Sequence, residues 1–436
     1  MWRRFFGSAS ASALPLDGGP RVLWYGAMST AVEEHAFLRP ILAAFADDDP
    51  RHIYADYLDE SHRPGDIARA EFIRLQLELA RIDGDHPRRG PLLRRVNQLL
   101  IRWQPEWVGP LRGMIAGCEF RRGLLDTVSV DARFFCESGD RLFEGTAVRR
   151  VKFLDAERIL DQFVRCPALG RVRELDLCGN DLGNGGVNLL LRSPFLAQLE
   201  SLDLSFNGIG DGGAEMLANA RPLARLMAMQ LNDNRTIGCA GMKSLARSPY
   251  LGHLRTLDVS GNDVADAGLI HLSESAGLRR LRTVRLHANR IGDAGVAAFA
   301  ESELFARILK HSAKLDLREN GIGPAGAKAI ANAPAMELTH SLDLGGNLLR
   351  DDGVIALAES DRLGRLRILS LRQNRIGDLG ARSLAHSELM AHLAKIDVSS
   401  NRITPRAIEL LWANRKDFQT ALESLGQFCF STAQSP

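Results

Sequence analysis

An asparagine that returns nine times at almost constant spacing leaves this chain very few ways to fold. The residues are Asn180, Asn207, Asn234, Asn262, Asn289, Asn320, Asn347, Asn374 and Asn401, separated by 27, 27, 28, 27, 31, 27, 27 and 27 positions. Three and five residues before each stands an aliphatic or Met side chain, as in Leu202 and Leu204 or Val284 and Leu286. After most come an apolar residue two positions on (Ile209, Val264, Ile291, Ile322, Leu349, Ile376) and a glycine six positions on (Gly213, Gly268, Gly295, Gly326, Gly353, Gly380). A unit this short cannot hide its apolar side alone. Successive units must therefore stack and share one interior.

The pattern L-x-x-L-x-L-x-x-N-x-I-G-D-x-G-A-x-x-L resembles the leucine-rich repeat, over about 172–403. The resemblance implies an α/β fold: a right-handed solenoid, or horseshoe, with a concave parallel sheet and convex helices. Its I-G-D-x-G-A form is similar to the ribonuclease-inhibitor subfamily, shared with Ran GTPase-activating protein and the sensor half of Nod-like receptors. Each coil should run as a short strand, an asparagine turn and a returning helix. The nine asparagine amides should be buried as a ladder that satisfies turn backbone groups. Four residues after the asparagine stands Asp211, Asp266, Asp293, Asp351 or Asp378, but Pro324 in coil six and Pro405 in coil nine. Both residue types favour the first turn of a helix, so helices should begin there. Two coils break the clock. Coil three carries one extra residue after Asn234, and coil five carries four across 304–313, about one helical turn.

The rest of the chain divides around this array. Residues 1–31 form a leader too polar and interrupted for a secretory core and are expected to be disordered. Thr30-Ala-Val-Glu33 fits a capping box, and four short helices with apolar residues at helical spacing should follow, making a small helical domain over 32–110. Within it Glu33-Glu-His-Ala-Phe-Leu38, Asp47-Asp-Asp-Pro-Arg51, Tyr54-Ala-Asp-Tyr-Leu-Asp-Glu60 and Ala70-Glu-Phe-Ile-Arg-Leu-Gln76 resemble the bacterial repeat-companion domain, although Tyr57 stands where that family usually has Trp. That resemblance implies a bacterial origin and brings no activity with it. Residues 111–171 hold Leu125–Val130 and Val148–Phe153, taken as degenerate N-terminal capping coils, with Ala156 where an asparagine would stand. Nine repeats over 172–403 are followed by a C-terminal cap at 404–430, with Ala421, Leu422, Leu425, Phe428 and Phe430 as its apolar face, and a tail at 431–436.

Composition constrains the function class. A net charge of +2 argues against a nucleic-acid partner, and no apolar run approaches the roughly 18 residues of a membrane span. The six cysteines are scattered, without zinc spacing, as expected of idle thiols in a cytoplasmic protein. No phosphate-loop, metalloprotease or nucleophile-elbow motif is present, so no catalytic residue, metal or cofactor is assigned.

What remains is a binding surface. The strand positions facing the concave side read Asp176, Asp203, Gln230, Asp258, Arg285, Asp316, Asp343, Ser370 and Asp397 in the central column. Two residues on they include His287, Arg318 and Arg372. Phe206 is the one aromatic among the concave and turn positions. Aspartates about 4.8 Å apart repel mildly, which a basic partner would relieve, although L-D-L-S is also ordinary solvated filler. The expectation is a monomeric, non-enzymatic scaffold gripping another protein on this face. A GTPase-activating regulator or an effector-type ubiquitin ligase is the alternative.

Overall fold

A computed structural model describes residues 36–45, 47–82, 86–144 and 146–413. The leader at 1–31, the capping box at Thr30, most of the C-terminal cap and the tail lie outside them. The described chain forms two compact units. One comprises the chain up to Arg112 with Glu119–Asp126 and Leu142–Ala147; the other comprises the remaining segments, including Val148 onward.

The first unit is helical. A helix at 36–43 precedes Asp49–Glu60, Pro64–Arg81 and Arg89–Val108. The Pro64–Arg81 helix opens on its proline, a first-turn position where the missing N–H costs nothing. The last helix runs through Pro105 to Val108. Leu38, Ile41, Tyr54, Leu58, Ile73 and Leu77 share one buried cluster. Phe72 packs with Trp107 and Phe120 at centroid distances of 4.9 and 5.5 Å. Arg51 is fully buried, donating from Nη1 to the Asp47 carbonyl and lying 4.6 Å from the Phe45 ring, and desolvation lowers its pKa.

The second unit is a leucine-rich-repeat solenoid: parallel strands on one side, helices on the other. Each coil contributes a strand of three residues, such as Ser201–Asp203, and a helix of eight or nine, such as Asp211–Ala218. Helices begin at Asp211, Asp266, Asp293 and Asp378, and at Pro324 and Pro405 in coils six and nine. Strands pair in strict register, Leu175 beside Leu202 beside Met229 beside Leu257 beside Val284. The second apolar residue of the pair in coils one to eight (Leu177, Leu204, Leu231, Val259, Leu286, Leu317, Leu344, Leu371) is at most 2 % exposed, and Val398 in coil nine is half-buried. At roughly 1.5–3 kcal/mol per buried aliphatic side chain, this continuous interior dominates the stability of the stack. At its N-terminal end Thr127–Asp131 pairs with Arg150–Leu154, and Phe135, Phe153 and Phe163 pack edge to face beneath. There Ala156, which stands in an asparagine's place, donates its N–H to Asn180 Oδ1 of the following coil at 2.7 Å.

The asparagines tie coil to coil. Asn207 is fully buried; its Nδ2 donates to the Leu177 and Ser205 carbonyls, both at 2.9 Å. Its Oδ1 accepts from the Asn180 and Leu182 N–H groups, at 3.1 and 3.2 Å. Asn320 and Asn401 are only partly buried, yet keep equivalent bonds to neighbouring carbonyls.

The irregular coils have structural costs. The four extra residues of coil five build a helix, Glu303–Ser312, whose Leu304, Phe305, Ile308 and Leu309 are buried. It ends with Ala313 at φ 49°, and the sheet is interrupted there: strands up to Thr283–Arg285 form one sheet and those from Lys314–Asp316 form another. Turn bonds still cross the gap, from Ala288 N–H to the Arg318 carbonyl and from Asn289 N–H to that of Glu319.

Candidate functional site: the open face of the repeat sheet

In a strand whose alternate side chains enter the core, the remaining ones must face away from the helices. The aspartate column of this open face is not simply a row of free charges. Asp176, Asp203, Asp258, Asp316, Asp343 and Asp397 each accept, at Oδ1, the N–H two residues downstream, at distances of 2.9–3.2 Å. The strand is only three residues long, so that N–H has left the ladder and the carboxylate takes it. Asp176 and Asp258 are also buried, at 8 % and 5 % exposure. Burial pushes the Asp176 carboxyl above its ordinary value, the Asp203 charge adds to that, and the Cys178 N–H partly opposes it. Asp258 is paired with Arg285 at 3.1 Å and accepts the Ser260 hydroxyl at 2.6 Å.

Elsewhere the face is more available. Phe206, Arg285, Arg318 and Arg372 are exposed, while Asp203, Gln230, His287, Asp316, Asp343 and Asp397 are half-buried. His287 Nδ1 lies 3.8 Å from Asp316, which also faces Arg318 at 3.7 Å. Arg372 has no side-chain hydrogen bond or ion pair among the described residues.

Charge along the face is segregated end to end, more sharply than the central column suggests. Strand and turn positions of coils one to four carry Glu174, Asp176, Asp181, Asp203, Asp233, Asp258 and Asp263 against Arg235. Those of coils five to nine carry Arg285, Arg290, Lys314, Arg318, Arg372, Arg375, Lys395 and Arg402 against Asp316, Glu319, Asp343 and Asp397. Lys314 and Lys395 come from the first strand position, which the columns read from the sequence leave out. Counting every outward position of the L-x-x-L-x-L segment would have found the gradient.

The helix side carries contacts that the repeat pattern conceals. Asp293 does more than start its own helix: its Oδ1 accepts the Gly323 and Gly326 N–H groups of the next coil at 2.6 and 2.8 Å. Asp211, Asp351 and Asp378 reach the following coil in the same way, and Asn184 does so in coil one. A Cβ on Gly326 would lie 2.6 Å from Asp293 Oδ1, which explains the glycine six positions after the asparagine. Asp378 accepts both the N–H and the hydroxyl of Thr404, and these bonds hold its carboxyl below the ordinary value of 3.8.

Among the described residues no group of three or more His, Cys, Asp or Glu is placed to hold a metal, and no helix is long and apolar enough to cross a membrane. The Cys136 thiol is pushed up to about 12, first by burial and then by its neighbour Cys166.

With strands, ladder and open face in place, the second unit has the fold of a leucine-rich-repeat solenoid. The family model described as "Leucine Rich repeat" matches residues 198–218, 252–273, 314–331, 340–358 and 366–385. No curated protein matches the sequence. Similar solved structures include an internalin from Listeria monocytogenes (16 % identity, 65 % of this chain and 84 % of that one, TM-score 0.35). A TDR receptor (15 %, 58 % and 47 %, TM-score 0.31) and the LRIM1 leucine-rich repeat domain (15 %, 69 % and 85 %, TM-score 0.31) are also similar.

Proposed function

We propose that this protein is a non-enzymatic scaffold that binds another protein along the open face of its repeat sheet. The observation that carries this reading is the end-to-end segregation of charge along a face whose coils are linked by asparagine hydrogen bonds. Such a surface orients a partner of opposite polarity: steering and register come from the charges, at a cost in salt sensitivity. The reading extends to a monomer of ribonuclease-inhibitor type, with a repeat-companion domain at 32–110 and a place in the bacterial cytoplasm.

The test is capture by the immobilised full chain at low and high salt, with bound proteins identified by mass spectrometry. Asp203→Lys and Arg375→Glu alter opposite poles, and circular dichroism checks that both variants fold. One captured protein lost on high salt and on either substitution supports the proposal. Capture that ignores both substitutions yet fails with Lys328→Glu, on the helix side, would overturn it.

A further inference from the structure

Three successive coils cross from helix to the next strand through connectors of equal length, 219–227, 247–255 and 274–282. The first holds Arg221 and Arg225, the second Arg247 and Arg255, and the third Arg279, Arg280 and Arg282, with no lysine and a single acid, Glu274. All seven arginines are exposed, and none has an ion pair among the described residues. The partners they do have carry no negative charge: Arg225 donates to Gln198 Oε1 at 3.1 Å, Arg279 to the Ala276 carbonyl at 3.0 Å, and Arg280 Nη1 lies 3.1 Å from His253 Nδ1. Stacking brings the connectors side by side. The Arg282 N–H donates to the Arg255 carbonyl, and the Arg255 N–H to that of Met227, each at 2.8 Å. In coil five the patch fades, since Arg307 and Lys310 are accompanied by Glu301 and Glu303. The chain's net charge of +2 conceals such a patch, because the balancing acids lie elsewhere in the fold.

We propose that this flank of coils two to four grips the phosphate backbone of a nucleic-acid duplex. Unpaired guanidiniums stacked coil upon coil repel one another, and a polyanion relieves that repulsion. Guanidinium is also the side-chain group best matched to phosphate, through paired N–H donors. What separates a nucleic acid from an acidic protein here is the lack of an apolar anchor. Leu223, Leu226, Leu251, Leu254, Leu278 and Leu281 all turn inward and are at most 2 % exposed. Protein interfaces draw their affinity from buried apolar and aromatic anchors, whereas nucleic-acid interfaces are more polar and far more basic. What separates a duplex from a single strand is the scarcity of stacking platforms: Tyr250, half-buried, is the one aromatic residue in the three connectors. Contacts of this kind hold the backbone without reading base sequence. The flank shares no residue with the open face, so the two surfaces can be tested apart.

The experiment titrates the full chain, by fluorescence polarisation at low salt, into short labelled DNA and RNA duplexes of arbitrary sequence. Either duplex should bind, and affinity should fall about a hundredfold or more between about 50 and about 200 mM salt as counterions return to the phosphates. The double variant Arg255→Glu/Arg282→Glu, whose side chains are exposed, should bind about tenfold or more weakly. Arg375→Glu on the open face and Lys328→Glu on the helix side should bind like the parent chain, with circular dichroism confirming that every variant folds. No duplex binding at low salt, undiminished binding by the Arg255→Glu/Arg282→Glu variant, or tighter binding of the single strand, of polyglutamate or of phosphatidylserine vesicles would each overturn the proposal. Protein capture that survives in the same double variant leaves the open-face reading standing whichever way the duplex result falls.

Discussion

Coil two meets coil three through Asn234, and coil three meets coil four through Asn262, with one extra residue after Asn234 separating the two cases. Asn234 Oδ1 accepts the Asn207 and Ile209 N–H groups at 2.9 and 3.0 Å. Asn262 Oδ1, also buried, has no hydrogen-bond partner among the described residues. The extra residue carries the matching amides out of line; Thr236 instead donates its hydroxyl to the Ile209 carbonyl, and the Asp263 N–H finds the Ile237 carbonyl. Asn262 Nδ2 still donates to Leu231, Val259 and Ser260 carbonyls, and the apolar interior continues through Val259 and Val264. A stack of coils thus tolerates an insertion when it damages one layer of contacts and leaves the others intact.

The largest effect should come from cutting the intact junction. Asn234→Ala strands four backbone partners, so a loss on the order of 3–5 kcal/mol is expected, read as a lowered denaturation midpoint by circular dichroism. Asn262→Ala, whose carbonyl oxygen already binds nothing, should cost clearly less; equal losses would mean that the amide oxygens contribute little.

The same logic sharpens on the helix side. Gly326→Ala drives a methyl against Asp293 and should cost about 1–3 kcal/mol. Gly353→Ala follows Pro324, so its nearest contacts are Leu349 and Ala327 Cβ atoms at 3.1 and 3.2 Å, and its change should be smaller, offset by the better helix propensity of Ala. Thermal melts of the two variants decide this.

Hydrogen exchange should rank the sheet junctions. Amides of Leu286 and Lys314 flank the interruption and should exchange faster, by about tenfold or more, than those of Leu204 and Met227, which bond to the Gln230 and Glu200 carbonyls.

Smallest are the pH effects at the two ends. The carboxyl of Asp378 is depressed by Thr404, so its contribution is full above the ordinary 3.8 and is lost as pH falls through its lower folded value. Asp176 is raised, so acidification from its raised value down to 3.8 should stabilise coil one, and Asp176→Asn should remove that response. Amide exchange of coils one and nine across pH 2–5, roughly the range in which carboxylates titrate, would expose opposite slopes.

Much of this architecture was legible because it is written nine times. The period, the apolar pairs and the helix starts at Pro324 and Pro405 each needed only one coil's grammar. What escaped belongs to pairs of coils. Asp293 satisfies a local rule as a first-turn acid, which hides its reach to Gly326, thirty-three residues on. The aspartate column suggested a partner surface because nothing in the pattern shows that the strands stop after three residues and leave an N–H for Asp176 to take.

The extra turn in coil five also sets how the molecule would come apart under load. Stretched from its ends, a stack parts where the fewest crossing bonds resist. Between the coils of the Thr283–Arg285 and Lys314–Asp316 strands there is no strand ladder, and the load falls on turn bonds, asparagine amides, the Asp293 bonds to Gly323 and Gly326, and apolar packing. Coils six to nine should therefore peel away together as one intermediate in a single-molecule pull, and a partner clasping both halves would act as a splint across the weak seam.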